Sequence, residues 1–212
     1  MTQQHIEVPA DFTTQIRRLA PKLPMTRGTA SIVAEQQALR VRAIFGLRNT
    51  TRVPLGWIER IPNTRVQILG RLEVEAIARV PRATGVTRFE EDGTTVISLA
   101  ENTSHAHKRF SLAHELKHLI DGLGADKTMY AQLGFGNRER RDRRIEGVAN
   151  EFAACLLMPT ALVTKAWDIG FKGVPELAGM FDVSEDAMYV RLKSLGLIRS
   201  YSRSPEENLA GL

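Results

Sequence analysis

The sequence predicts an α+β fold: helices and a short twisted sheet forming a small core, followed by a helix-turn-helix-like helical appendage. Three observations predict it. Arg109–Ile120 carries apolar residues at helical spacing around an H-E-x-x-H motif. Residues 85–99 read as two strands about an Asp92-Gly93 turn. Leu177–Leu192 places helical apolar patterns on both sides of Asp182-Val183-Ser184.

Residues 1–28 are polar and interrupted by Pro9, Pro21, Pro24 and Gly28, which predicts a flexible N-terminal arm with a short helix around Asp11–Leu19. A core domain is expected over 29–165. In Thr29–Leu47, Ile32, Val33, Leu39, Ala43, Ile44 and Leu47 recur at the period of an amphipathic helix. Val53–Ile61 predicts a second, short helix that opens near Pro54 and is closed by Pro62. Thr64–Leu69 alternates as a strand, with Val66 and Ile68 on one face. Leu72–Val80 is ambiguous: its alternation suits a strand, its Glu and Ala content a helix. Gly85–Phe89 and Thr94–Leu99 form the expected hairpin, with Asp92-Gly93 as a type I′ turn.

Asn102, Thr103 or Ser104 is placed to cap the following helix, and Asp121-Gly122 with Gly124 to end it. The stretch to Gly136 reads as a loop or broken helix. Asn137–Arg144 holds five arginines, read first as the solvated start of the next helix and otherwise as a docking surface for an acidic partner or nucleic acid. That helix, Ile145–Met158, stops at Pro159, and Ala161–Trp167 continues as another short one. Residues 166–200 form the expected appendage and 201–212 a polar tail.

The chemistry centres on His114-Glu115-Leu116-Lys117-His118. On a helix the two histidines leave the same face one turn apart, offset by roughly 6 Å along the axis. Their nitrogens can converge on one Zn²⁺, with Glu115 beside them as general base. Phe110, Leu112, Ala113, Leu116, Leu119 and Ile120 supply the stripe that buries this helix. A catalytic zinc takes a third protein ligand. Ile145–Met158 offers Glu146 and Glu151. Ala149, Phe152 and Leu156 define its buried stripe. Glu146 falls on that side, with Asn150 one turn later, and Glu151 points about 140° away from Glu146. Spacing leans to Glu146 and leaves Glu151 open.

The net charge of +5 is compatible with nucleic acid, an acidic partner or an ordinary solvated surface. No apolar run approaches the roughly 20 residues that cross a bilayer, so no membrane partner is expected. Met1–Ala10 has no signal-peptide apolar core, and the single cysteine, Cys155, excludes an intramolecular disulfide. Together these favour the cytoplasm. Cys155, in an apolar run, is expected as a buried filler.

The run Phe110-Ser-Leu-Ala-His-Glu-Leu-Lys-His118, followed by Glu146-x-x-Ala149-Asn150-x-Phe152-Ala153-Ala154-x-Leu156-Leu157-Met158-Pro159, resembles the ImmA/IrrE family of zinc metallopeptidases. The similarity extends upstream through Gly85-Val-Thr-Arg-Phe and Val96-Ile-Ser-Leu. It implies a zincin-like (gluzincin-type) core, one Zn²⁺ held by His114, His118 and Glu146, and Glu115 as catalytic base. It puts Asn150 where related enzymes orient a ligand histidine. Lys117 stands where many members have Gly or Ser, and is expected to point away from the metal while changing the charge at the cleft. The resemblance also implies an exposed edge strand, Thr94–Leu99, along which substrate would lie. The implied role is cleavage of a specific protein, typically a helix-turn-helix repressor, in bacteria or their mobile elements. His105, His107 and Tyr130 are the candidates for a second oxyanion donor.

Two other readings compete. One is a non-proteolytic DNA- or protein-binding regulator built on Leu177–Leu192. Direct nucleic-acid binding is disfavoured because Glu185 and Asp186 open the supposed recognition helix and would repel phosphates. The other is a structural zinc site, which would have no use for Glu115 beside an open position.

Overall fold

The computed structural model describes residues 7–198; the expected tail over 201–212 lies outside them. The chain is α+β, with eight α-helices and a three-stranded mixed sheet among the described residues. Helices α2 (Arg27–Ile44), α4 (His105–Asp121) and α5 (Arg138–Leu157) pack α2 on α5 and α5 on α4, and the sheet lies on the far side of α4.

Each central helix is delimited by local chemistry. Thr26 accepts the Thr29 N–H to open α2, and Ala30, Val33, Ala34, Ala38 and Val41 bury one face of it. Ser104 accepts the His107 N–H to open α4. Gly122, at φ +76°, ends α4. A Cβ at Gly122 would lie 2.6 Å from Arg17 Nη2, and the Arg17 Nε–H donates to the Ile120 carbonyl at 2.7 Å. Asn137 opens α5 by accepting the Arg140 N–H. Pro159 separates α5 from α6 (Thr160–Asp168).

Residues expected as a loose arm pack instead. Helix α1 (Phe12–Arg17) buries Phe12 and Ile16 completely, and Met25 is buried beside them. Phe12 meets Phe45 and Trp57 at ring-centroid distances of 5.5 Å. Three large apolar side chains outweigh the prolines that suggested disorder. The short helix expected over 53–61 is a 3₁₀ turn, Gly56–Arg60. The ambiguous segment is a helix, α3 (Arg71–Ala78), whose Glu73 carboxylate accepts the Gly70 N–H.

The sheet order is β1 (Thr64–Leu69), β3 (Thr95–Ala100), β2 (Gly85–Phe89). β1 runs parallel to β3 and β2 antiparallel to it. The expected edge strand is therefore the central one. Its continuous burial from Val96 to Ala100 suits a strand covered on both faces, and β1 occupies the edge that substrate was expected to use. Both outer strands have one side unpaired in the sheet, and of the two it is β2 that lines the cleft beside α4. The hairpin turn also differs from type I′. Gly93 N–H donates to the Glu90 carbonyl, and of Asp92 and Gly93 only Gly93 has positive φ. This is a type I turn closed by a left-handed glycine.

The helix-turn-helix-like pair is α7 (Val174–Phe181) and α8 (Glu185–Ser194). Asp182 closes α7 in the left-handed region and Ser184 caps α8. Leu177, Phe181, Met188 and Leu192 are fully buried in the same core cluster as α2, α4 and α5. Arg109 on α4 donates to the Asp182 carbonyl, and Arg52 to the Gly179 carbonyl. The pair is thus part of the core and not an appendage hung on it. Among the described residues, no single helix is long and apolar enough to cross a membrane.

Candidate metal centre

The cluster stands on α4 and α5, where the two helices pack. His114 and His118 project from one face of α4, ring centroids 4.9 Å apart. Glu146 approaches from the first half of α5. His114 Nε2 lies 3.1 Å from His118 Nε2 and 3.1 Å from Glu146 Oε2, and His118 Nε2 lies 3.5 Å from Glu146 Oε1. One ligand atom from each residue fits within 4.8 Å of the others. Tetrahedral ligands at about 2.0–2.1 Å from zinc are roughly 3.4 Å from one another, so the donor set fits that ion.

The surroundings prepare these groups. His114 Nδ1 lies 2.9 Å from Asn150 Oδ1; a proton on Nδ1 donates to that oxygen and leaves Nε2 free as a ligand. Burial works against a charged His114. The Glu146 hydrogen bond, the Glu115 and Glu146 charges and Asn150 outweigh it, raising its pKa. Burial dominates at His118 and lowers its pKa. Burial would raise Glu146, but the His114 hydrogen bond and both imidazoles hold its carboxyl below the usual range.

Glu115 is 5% exposed and sits between α4 and β2. Its Oε2 accepts the Thr87 hydroxyl at 2.8 Å. A Cβ at Gly85 would lie 2.8 Å from Glu115 Oε1 and 3.0 Å from its Cγ. Residues 85 and 87 share a strand face by the two-residue period, so β2 clamps the carboxylate on one side with a hydroxyl and leaves room for it with a glycine. Sequence reasoning missed both contacts. Their signal was the alternation of Gly85 and Thr87 in a segment it had already singled out.

Glu151 turns away, toward Arg191 Nη1 at 3.5 Å, as its offset from Glu146 requires. Cys155 is buried beside it, and burial pushes its thiol up to about 12. Lys117 does not reach the cleft: it is 1% exposed, ion-paired with Asp121 and bonded to the Tyr130 hydroxyl at 2.8 Å. The Tyr130 hydroxyl donates to Asp121 at 2.6 Å and is committed there. His105 faces Asp182 at 3.4 Å. His107 lines the cleft, its Nε2 3.2 Å from the Thr84 hydroxyl.

Residues 74–193 match the Peptidase_M78 family model, described as the IrrE N-terminal-like domain. That span is more than half of the chain and runs from α3 through the metal cluster into α8. The chain belongs to this family. The resemblance read from the H-E-x-x-H segment and α5 is therefore shown at family level, and the family is a peptidase family. A Mycobacterium tuberculosis transcriptional regulator of known structure is similar in fold, with a TM-score of 0.55 at 18% identity. The similarity covers 91% of this chain and 54% of that one, so this chain spans about half of that protein's length. No curated protein matches the sequence.

Proposed function

We propose that the chain is a zinc-dependent endopeptidase of regulatory type, active in the cytoplasm, that cuts one specific protein, a helix-turn-helix transcriptional repressor being the first candidate. The observation that carries this is the convergence of His114, His118 and Glu146 beside the buried Glu115. His114, His118 and Glu146 would hold one Zn²⁺. The ion, when bound, acidifies a water and polarises the scissile carbonyl. Asn150 fixes the His114 ring. Glu115 takes the proton from the attacking water and returns it to the leaving amine, so that each peptide bond cut consumes one water. Thr87 and Gly85 hold the Glu115 carboxylate in place. An extended substrate would pair with the free side of β2, which lines the cleft through Gly85, Val86, Thr87 and Phe89.

Burial of α7 and α8 in the common core, with Arg109 holding Asp182 in their turn and Arg52 holding Gly179 near the end of α7, argues against a DNA-reading role for that pair. Metal analysis of purified protein tests the ligand set. The wild-type chain is expected to carry one zinc and Glu146→Ala to lose most of it. Full zinc in that variant would exclude Glu146 as a ligand.

A further inference from the structure

Resting on the peptidase reading, we propose that the cleft selects substrates carrying acidic residues beside the scissile bond, through Arg82 and Arg143. Among the described residues, the cleft, about 840 Å³, is lined by five carboxylates, Glu115, Asp121, Asp126, Asp142 and Glu146, and by these two guanidinium groups. Asp121 and Asp126 are engaged, and Asp142 only loosely. Asp121 is ion-paired with buried Lys117. Asp126 lies 3.4 Å from Arg141, and Asp142 lies 3.8 Å from both Arg141 and Arg138. Glu115 and Glu146 belong to the floor, where a bound dication offsets both.

The two arginines are not engaged in the same way. Arg82 forms no ion pair among the described residues. The ion-pair partner of Arg143 is Glu139, 3.8 Å away; both side chains are exposed (72% and 86%), and such a pair contributes little. Asp142 is held no more closely than Arg143, so the groups left loosely paired or unpaired are two guanidiniums against one carboxylate, a surplus of one positive charge once a dication offsets Glu115 and Glu146.

Position supports the assignment. Arg143 precedes Glu146 by three residues and Asn150 by seven, so all three share one face of α5. Arg82 precedes Gly85 by three residues, on the connection that leads into β2. Helix α4 packs against both α5 and β2, and the two cations line the cleft from α5 and from the connection into β2. Arg82 also holds φ +62°, a left-handed conformation that glycine adopts without strain. Arg79 in the same connection shares that conformation, and of the two it is Arg82 that lines the cleft.

Fluorescence anisotropy tests this with the zinc-loaded, full-length Glu115→Gln chain, which cannot consume its ligand. The probes are labelled dodecapeptides of one Ala/Leu/Ser sequence that carry Asp, Asn or Lys at the same two central positions. At about 50 mM salt the Asp peptide is expected to bind about tenfold more tightly than the Asn peptide, with the Lys peptide weakest; the spread shrinks at about 0.5 M salt. Arg82→Gly and Arg143→Gln should each weaken the Asp peptide about three- to tenfold and leave the Asn peptide unchanged. Arg82→Gly should also keep or raise the melting temperature, a combination that a structural role for Arg82 would not produce. Equal affinity for the three peptides, or an Asp preference that survives in the double variant, overturns the proposal. A randomised peptide library given to the wild-type enzyme separates the two readings. Cut products should be enriched in Asp and Glu near the new ends. If none is cut, the peptidase reading fails, and the anisotropy still decides the charge preference.

Discussion

Glu115 is the residue on which chemistry and packing meet. Its carboxylate is held by a hydroxyl from Thr87 and by the missing side chain of Gly85. Gly85→Ala should therefore displace Glu115 while leaving His114, His118 and Glu146 in place. The expected outcome is normal zinc content with turnover lowered about 10- to 100-fold, read by metal analysis and by cleavage kinetics on one sample. Loss of zinc in that variant would mean that β2 supports the ligands instead. Among single residues, the different directions of Glu146 and Glu151 were legible because helical periodicity sets them. The Lys117–Asp121–Tyr130 group was not. Tyr130 reaches Lys117 from the irregular stretch after α4, where no period predicts which side chain turns inward.

The longer helices were legible as elements because each carries its own signals, whereas α3, only eight residues long, read equally as a strand. Ser104 and Gly122 delimit α4, and Pro159 separates α5 from α6. The hairpin of β2 and β3 was legible for the same reason, since its strands are close in sequence. The position of β3 in the middle of the sheet was not. It depends on parallel pairing with β1, Thr64 opposite Thr95, a contact set by tertiary packing and not by local pattern. Helix α8 shows how elements are locked together. Buried Arg191 donates to the Met158 carbonyl and the Thr160 hydroxyl, each at 3.0 Å, and so ties α8 to the α5–α6 junction. Arg191→Ala is expected to destabilise the fold by about 2–4 kcal/mol, because it leaves buried acceptors unpaired and a cavity behind. Chemical denaturation measures this; a change below about 0.5 kcal/mol, typical of a surface substitution, would contradict the buried role.

The arrangement of the chain as one body follows from its shared core. Phe12 and Ile16 near one end, and Phe181 and Leu192 near the other, belong to one buried cluster with the central helices. Composition suggested a loose arm and a separable appendage because prolines and a helix-turn-helix pattern are read locally, whereas burial is decided by contacts between distant segments. Truncation after residue 165 should consequently remove part of the core. The shortened chain is expected to lose its cooperative thermal transition, and a sharp transition at the wild-type temperature would show that α7 and α8 are independent of the core.

Catalysis by the metal helix is tested most directly in cells. New protein N-termini are compared between bacterial cells producing the wild-type chain and cells producing Glu115→Gln at equal abundance. A terminus is expected with the wild type alone, identifying the protein cut and the bond, while both chains retain zinc. The same termini with both chains, or none with either under zinc-replete conditions, would contradict proteolysis by this site.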